Sequence, residues 1–238
     1  MIPTLITDHF YQLHQEDAAE ALNFHFLEED SCPSLSRHML TLGVQTLRCA
    51  HCGLARDPVR TEYRGFNVPI EVDDDQHPLK FHDVQSAFTE FLAGEPVKYT
   101  DYPCAACQST HYLKAFQATV TPQVLVLNLN RFKYTQLASG EITGPHAINH
   151  PVATSDTLTL NDDIYELRSV VVHLGASVHA GHYITIARHD TRNGKWWVYN
   201  DAQRREATAA QVATTCLWER TQEQMKSYVL FYERRAPA

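Results

Sequence analysis

The sequence predicts an α+β fold, a mostly antiparallel sheet with few helices and an inserted four-cysteine ribbon. Three observations carry this. Alternating or continuous apolar runs bounded by turn residues recur along the chain, which is the pattern of strands. Only a few stretches repeat apolar residues at helical spacing. Two Cys-x-x-Cys pairs, Cys49 with Cys52 and Cys104 with Cys107, stand far apart in sequence. The chain has 238 residues, 44% of them hydrophobic and 10% aromatic, enough for a sizeable core. A single domain over residues 1–238 is expected, with the ribbon inserted at about 40–115. The net charge of −8, from 20 basic and 28 acidic residues, comes without any basic run. That argues against nucleic acid or an anionic membrane as partner. There is no apolar run near membrane-spanning length and no signal-peptide pattern, so an intracellular soluble protein is expected.

From Gln15 the pattern is helical, with Ala18, Ala21, Leu22 and Phe26 on one face and Glu16, Glu20 and Glu28 elsewhere. Leu40 to Arg48 alternates as a strand and leads into Cys49-Ala-His-Cys52-Gly53. Thr61 to Val72 reads as a strand with Phe66, Val68 and Ile70 on one face, and Glu71 to Asp75 as a solvated acidic turn. A second helix follows, with Asp83 as N-cap, an apolar stripe of Val84, Ala87, Phe88, Phe91 and Leu92, and Gly94 just past its end. Cys104-Ala-Ala-Cys107 completes the second cysteine pair. A two-residue gap lets a tight turn present two thiolates to one tetrahedral ion, and Gly53 suits such a turn. The spacing therefore points to a structural zinc held by Cys49, Cys52, Cys104 and Cys107. Disulfides and a pair of redox motifs are the alternatives, the former disfavoured in a reducing cell.

Lys114 to Val120 alternates as a strand, and Val124 to Phe132 is a buried strand ending in polar residues. Ser139 to Pro145 reads as a surface loop. Val170-Val-Val-His-Leu-Gly175 is an apolar strand running into a Gly-bounded loop, which ends at Gly181-His182-Tyr183. An alternating strand follows, then the turn signal Asn193-Gly194 and the run Lys195-Trp-Trp-Val-Tyr-Asn200-Asp201. Centring the 189–194 loop between the strands makes His182 face Asp201 or, one residue away, Asn200. A histidine and an amide or carboxylate thus meet at the open end of one hairpin, as a base and its orienting group do. A last helix opens at Thr208, with Gln211 as its capping-box partner, Val212 and Cys216 sharing one face, and Ser227 to Tyr232 as the closing strand.

Taken together these motifs resemble the ubiquitin-specific proteases. The resemblance rests on Gln15-Glu-Asp17-Ala18-Ala-Glu20, the two cysteine pairs, Leu129-Asn130-Arg131-Phe132, Gly181-His182-Tyr183, Trp196-x-x-Tyr199-Asn200-Asp201 and Tyr228 to Tyr232, in that order. It implies a papain-like fold with a palm sheet and zinc-ribbon fingers. It implies thiol-dependent hydrolysis after the C-terminal glycine of ubiquitin, with ubiquitin as partner and a cytoplasmic or nuclear location. His182 would be the general base and Asn200 its orienter, with Asp201 as an adjacent supporting residue. Ala21 and Asn130 depart from the family's usual aromatic and lysine. In the family the nucleophilic cysteine lies several tens of residues before the Gln-box, the motif that Gln15–Glu20 resembles, whereas here fourteen residues precede Gln15 and none is cysteine. The thumb is therefore expected to be largely absent and the chain alone inactive. The cysteines left over are Cys32, in an acidic stretch, and Cys216. Two other readings are a non-catalytic ubiquitin-binding pseudoprotease and a zinc-ribbon scaffold.

Overall fold

A computed structural model describes residues 17–22, 33–72, 79–136, 141–175, 181–188, 194–208 and 225–236. Gln15, Cys32, the 73–75 acidic run, Asn193, Gln211, Val212 and Cys216 lie outside these. The elements in chain order are α1 (Ala18–Leu22), α2 (Pro33–Met39), β1 (Thr41–Cys49), β2 (Val59–Tyr63), β3 (Phe66–Pro69), β4 (Glu71–Val72), β5 (Leu79–Lys80), α3 (Val84–Gly94) and β6 (Glu95–Lys98). They continue with β7 (His111–Val120), β8 (Val124–Asn130), β9 (Phe132–Gln136), β10 (Ile142–Ala147), β11 (Thr157–Leu160), β12 (Asp163–Leu174), β13 (His182–Arg188), β14 (Trp196–Asn200), β15 (Gln203–Glu206) and β16 (Met225–Arg234). Among the described residues no helix is long and apolar enough to cross a membrane.

Two sheets matter for the site. The larger runs β15-β14-β13-β12-β16-β8-β3, with β11 added on β12. Among the described residues its ladders are antiparallel except β3 with β8. The smaller runs β2-β1-β7-β6 and is antiparallel throughout. The expected strand from Thr61 to Val72 is therefore three strands, because the chain bends at Arg64–Gly65 and passes from the small sheet to the large one. Phe66, Val68 and Ile70 are all fully buried, as their alternation requires.

The main core lies where α3 meets β3 and β7. Asp83 caps α3 by accepting from the Ser86 amide at 2.8 Å. Phe88 then packs edge-on against Phe66, with centroids 5.3 Å apart. Gly94 closes the helix from inside, with Glu95 as C-cap. On the other face of the large sheet, Ala19 of α1 and Met39 of α2 cover Val126, Tyr228 and Val229. Ala19 is thus the buried residue of α1, while Ala18, Ala21 and Leu22 are only half-buried. The Ser139–Pro145 loop is also revised, since from Ile142 the chain pairs with β9 as β10, across an irregularity at Thr143/His146.

Glu71 is not part of a solvated turn. Its carboxylate takes a 2.6 Å bond from Lys133, lies 3.6 Å from His150 Nδ1, and is only 9% exposed. The Lys133 bond holds its pKa below the usual carboxylate range against the opposing effect of burial. The His150 pKa is lowered by burial, while the nearby carboxylate acts the other way. Replacing Lys133 by Met leaves the Glu71 charge short of a partner. We expect a loss of about 1–2 kcal/mol at neutral pH in urea unfolding, moderated because Lys133 is 36% exposed. Glu71 titrates lower in the folded state than unfolded, so the stabilisation is full above its unfolded pKa. It fades as pH falls through the folded value, and the gap between wild type and Lys133→Met should narrow in that window.

Candidate functional site

His182 opens β13, where Leu174 of β12 is its ladder partner. Val170 and Val172 of β12 are fully buried, which fixes that strand's inward face and so the register of β13 beside it. Across the next ladder Thr185 pairs with Tyr199 and Arg188 with Trp196, because β14 begins at Trp196 and not at Lys195. This register is one residue away from that in which His182 faces Asp201, and the difference has a chemical result. Directly opposed residues share a face and facing alternates along a strand, so Asn200 lies on the face of Ile184 and His182. Asp201 falls out of alternation, in the turn to β15, with a positive φ of 49°.

The side chains follow. His182 Nε2 lies 2.6 Å from Asn200 Oδ1. Asp201 Oδ2 stands 3.8 Å from the same nitrogen and is 80% exposed, too far for a hydrogen bond. An amide oxygen only accepts, so Nε2 carries the proton, and Nδ1 presents a free lone pair as the basic atom.

The four cysteines meet at the end of the small sheet. Their sulfurs lie within 4.8 Å of one another, with Cys49–Cys107 at 3.5 Å and Cys52–Cys104 at 3.6 Å. Tetrahedral zinc–thiolate bonds of ~2.3 Å place sulfurs about 3.8 Å apart, so the cluster fits such an ion. The two turns are built alike. Gly53 donates to the Cys49 carbonyl and Gln108 to the Cys104 carbonyl. Cys49 donates to Leu54, and Cys104 to Ser109. The residue after each second cysteine has positive φ, 75° at Gly53 and 61° at Gln108. Gly53 was a readable turn signal, but Gln108 was not, since only the fold forces it there. The amide of Cys52 pulls the Cys49 thiol down to about 6, and the amide of Ala106 lowers Cys104. Cys52 and Cys107 accept from the Leu54 and Ser109 amides, yet neighbouring sulfurs and burial push both up, Cys107 to about 12. Four thiolates packed this closely repel, and a divalent cation is what would let all four ionise.

Comparison with known proteins gives the family of the chain. The family model described as ubiquitin carboxyl-terminal hydrolase matches residues 4–232. The chain belongs to this family. Ubiquitin carboxyl-terminal hydrolase 13 of Saccharomyces cerevisiae is 27% identical over 221 residues, covering 87% of this chain and 28% of that protein. Ubiquitin carboxyl-terminal hydrolase 12 of Salmo salar is 28% identical over 214 residues, covering 85% and 54%. The chain thus spans between about a quarter and about half of these relatives. The SAGA Ubp8/Sgf11/Sus1/Sgf73 DUB module bound to ubiquitin aldehyde superposes with a TM-score of 0.67 at 20% identity, over 97% of this chain and 52% of that one. That likeness shows a shared fold, sheet-dominated with few helices.

Two features of this hydrolase-family chain have a placement that sequence reasoning missed. Arg131 of the Leu129–Phe132 motif is buried and ties strands together, donating to the carbonyls of Ser227 and His150. Asp17 is the larger omission. One carboxylate oxygen accepts from the amides of Ala19 and Glu20 as an N-cap. The other accepts from the phenols of Tyr183 at 3.2 Å and Tyr228 at 2.6 Å. Burial, with Asp17 beside them, raises both tyrosine pKa values. Asp17 therefore fastens α1 to β13, one residue from His182, and to β16. The available signal was an acid in the Gln-box and a tyrosine in each of two later motifs. Asp17→Ala removes a cap and two phenol bonds, and we expect about 2–3 kcal/mol lost in denaturant unfolding. Tyr228→Phe should lose only part of that.

Proposed function

We propose that the chain is the palm and fingers of a ubiquitin-specific protease, whose reaction is thiol-dependent hydrolysis of the bond after the C-terminal glycine of ubiquitin. The observation that carries this reading is the 2.6 Å His182–Asn200 contact at the open end of the β13–β14 hairpin, in a family member. In the proposed mechanism His182 Nδ1 takes the proton of a cysteine thiol, and the thiolate attacks the carbonyl carbon. The imidazolium then gives that proton to the leaving amine, and a water, deprotonated by the same nitrogen, releases the acyl group. Asn200 holds the Nε2–H throughout, and Asp201 adds a weak favourable field. The ribbon within residues 40–115 holds zinc as a structural ion through Cys49, Cys52, Cys104 and Cys107. A site filled by four thiolates has no open position for substrate, which supports an architectural role. About one zinc per chain is expected by metal analysis, with chelation lowering the melting temperature. Thiols free of metal at these four positions would reject it.

The second reading is a non-catalytic ubiquitin-binding cradle, favoured by the thiol inventory. Four of the six cysteines form the cluster, which leaves Cys32 and Cys216. We expect the 238-residue chain to bind ubiquitin in an NMR titration, and not to be labelled by ubiquitin carrying a thiol-reactive C-terminal warhead. Labelling that disappears in Cys32→Ala or Cys216→Ala would identify the nucleophile and sink the cradle reading. Absence of any binding at millimolar ubiquitin would sink both.

A further inference from the structure

Gly181 and Tyr183, the two neighbours of His182, touch one and the same side chain. His173 lies in β12 directly opposite Tyr183 in the ladder and is 8% exposed. Its ring centroid is 5.0 Å from that of Tyr183. A β-carbon placed on Gly181 would fall 2.0 Å from His173 Nε2 and 2.7 Å from its Cε1, so the ring lies against the Gly181 α-carbon with no room between. Facing alternates along a strand, so residues 181 and 183 turn to the side opposite the His182 side chain. The His182 ring meets Asn200 in front, while the residues on either side of it meet His173 behind.

We propose that His173 is a positioning residue, whose imidazole braces both residues flanking His182 and so fixes the direction in which His182 reaches Asn200. The inference rests on the reading of His182 as the general base. The site asks for a short planar side chain, wide enough to span residues 181 and 183, and glycine at 181 gives it room. It also asks for a neutral one. The charged and titratable groups facing it are Lys226 of β16, its other ladder partner, Asp17 before α1 and Tyr183 of β13. Burial first, and then the Lys226 ammonium, hold the His173 pKa below its ordinary value, while Asp17 acts the other way. Lys226 is itself bonded to the Gly175 carbonyl at 3.0 Å and to the Asn149 side chain. A brace of this kind matters because misplacing a base by ~1 Å costs about a hundredfold in rate.

The test reads the His182–Asn200 bond and not turnover. In proton NMR of the intact chain, the His182 Nε2–H should appear as a downfield resonance in slow exchange with water, absent in Asn200→Ala. In His173→Ala that proton should exchange at least about tenfold faster, while the backbone amides of β12 and β16 keep their protection. His173→Gln carries a planar amide to the position of Nε2 and should restore slow exchange. Should His173→Ala fail to fold, His173→Asn, too short to reach Gly181, reads the same effect. A folded Ala or Asn variant with wild-type exchange would overturn the proposal, as would a Gln variant as fast as Ala, or a wild type without the resonance. A wild type with the resonance but no hydrolysis bears on the hydrolase reading alone.

Discussion

β12, a strand of twelve residues, is paired on both sides from Ser169 to Leu174, to β13 and to β16. Val170 and Val172 are sealed in the core, so a slip of one residue would take both valines out of it and turn neighbouring polar residues inward. That cost locks the neighbours as well. β13 takes its facing from β12, and β14 takes its own from β13. His182 and Asn200 reach the same side of the sheet as the third step in this succession. The contact between them is a small interaction set by a large one, since the burial of the strand faces dictates where two polar groups meet.

The cysteine cluster follows a different logic. It lies in a separate sheet, at the end of β1 and in the loop before β7, and takes no part in the polar contacts around His182 among the described residues. Its geometry comes from two local turns with matching hydrogen bonds, brought together by the β1–β7 ladder. Local spacing is a short-range property, and sequence expresses it directly.

This explains which parts were legible beforehand. The cysteine pairs, the α3 cap at Asp83 and the hairpin that brings residue 182 near residue 200 are all encoded within short windows. Asp17 was read only as a member of the Gln15–Glu20 motif, because its phenol partners lie 166 and 211 residues away. Glu71 looked solvated because its sequence neighbours are acidic, whereas its partner Lys133 is 62 residues on. β10 was hidden by Gly144 and Pro145, which weaken a strand pattern even where the backbone does pair. The hairpin register was missed by one residue because Lys195 was counted into the strand.

β16 lies between β12 and β8 in the large sheet, although it follows both in sequence. Until residues 225–234 are present, β11 to β15 form one incomplete sheet, and β8 with β3 another. During synthesis both would wait with an open edge, since the ribosome delivers the strand that joins them last. A chain of this topology gains little from folding as it emerges. Its nascent form must be kept from pairing with other chains until the joining strand arrives.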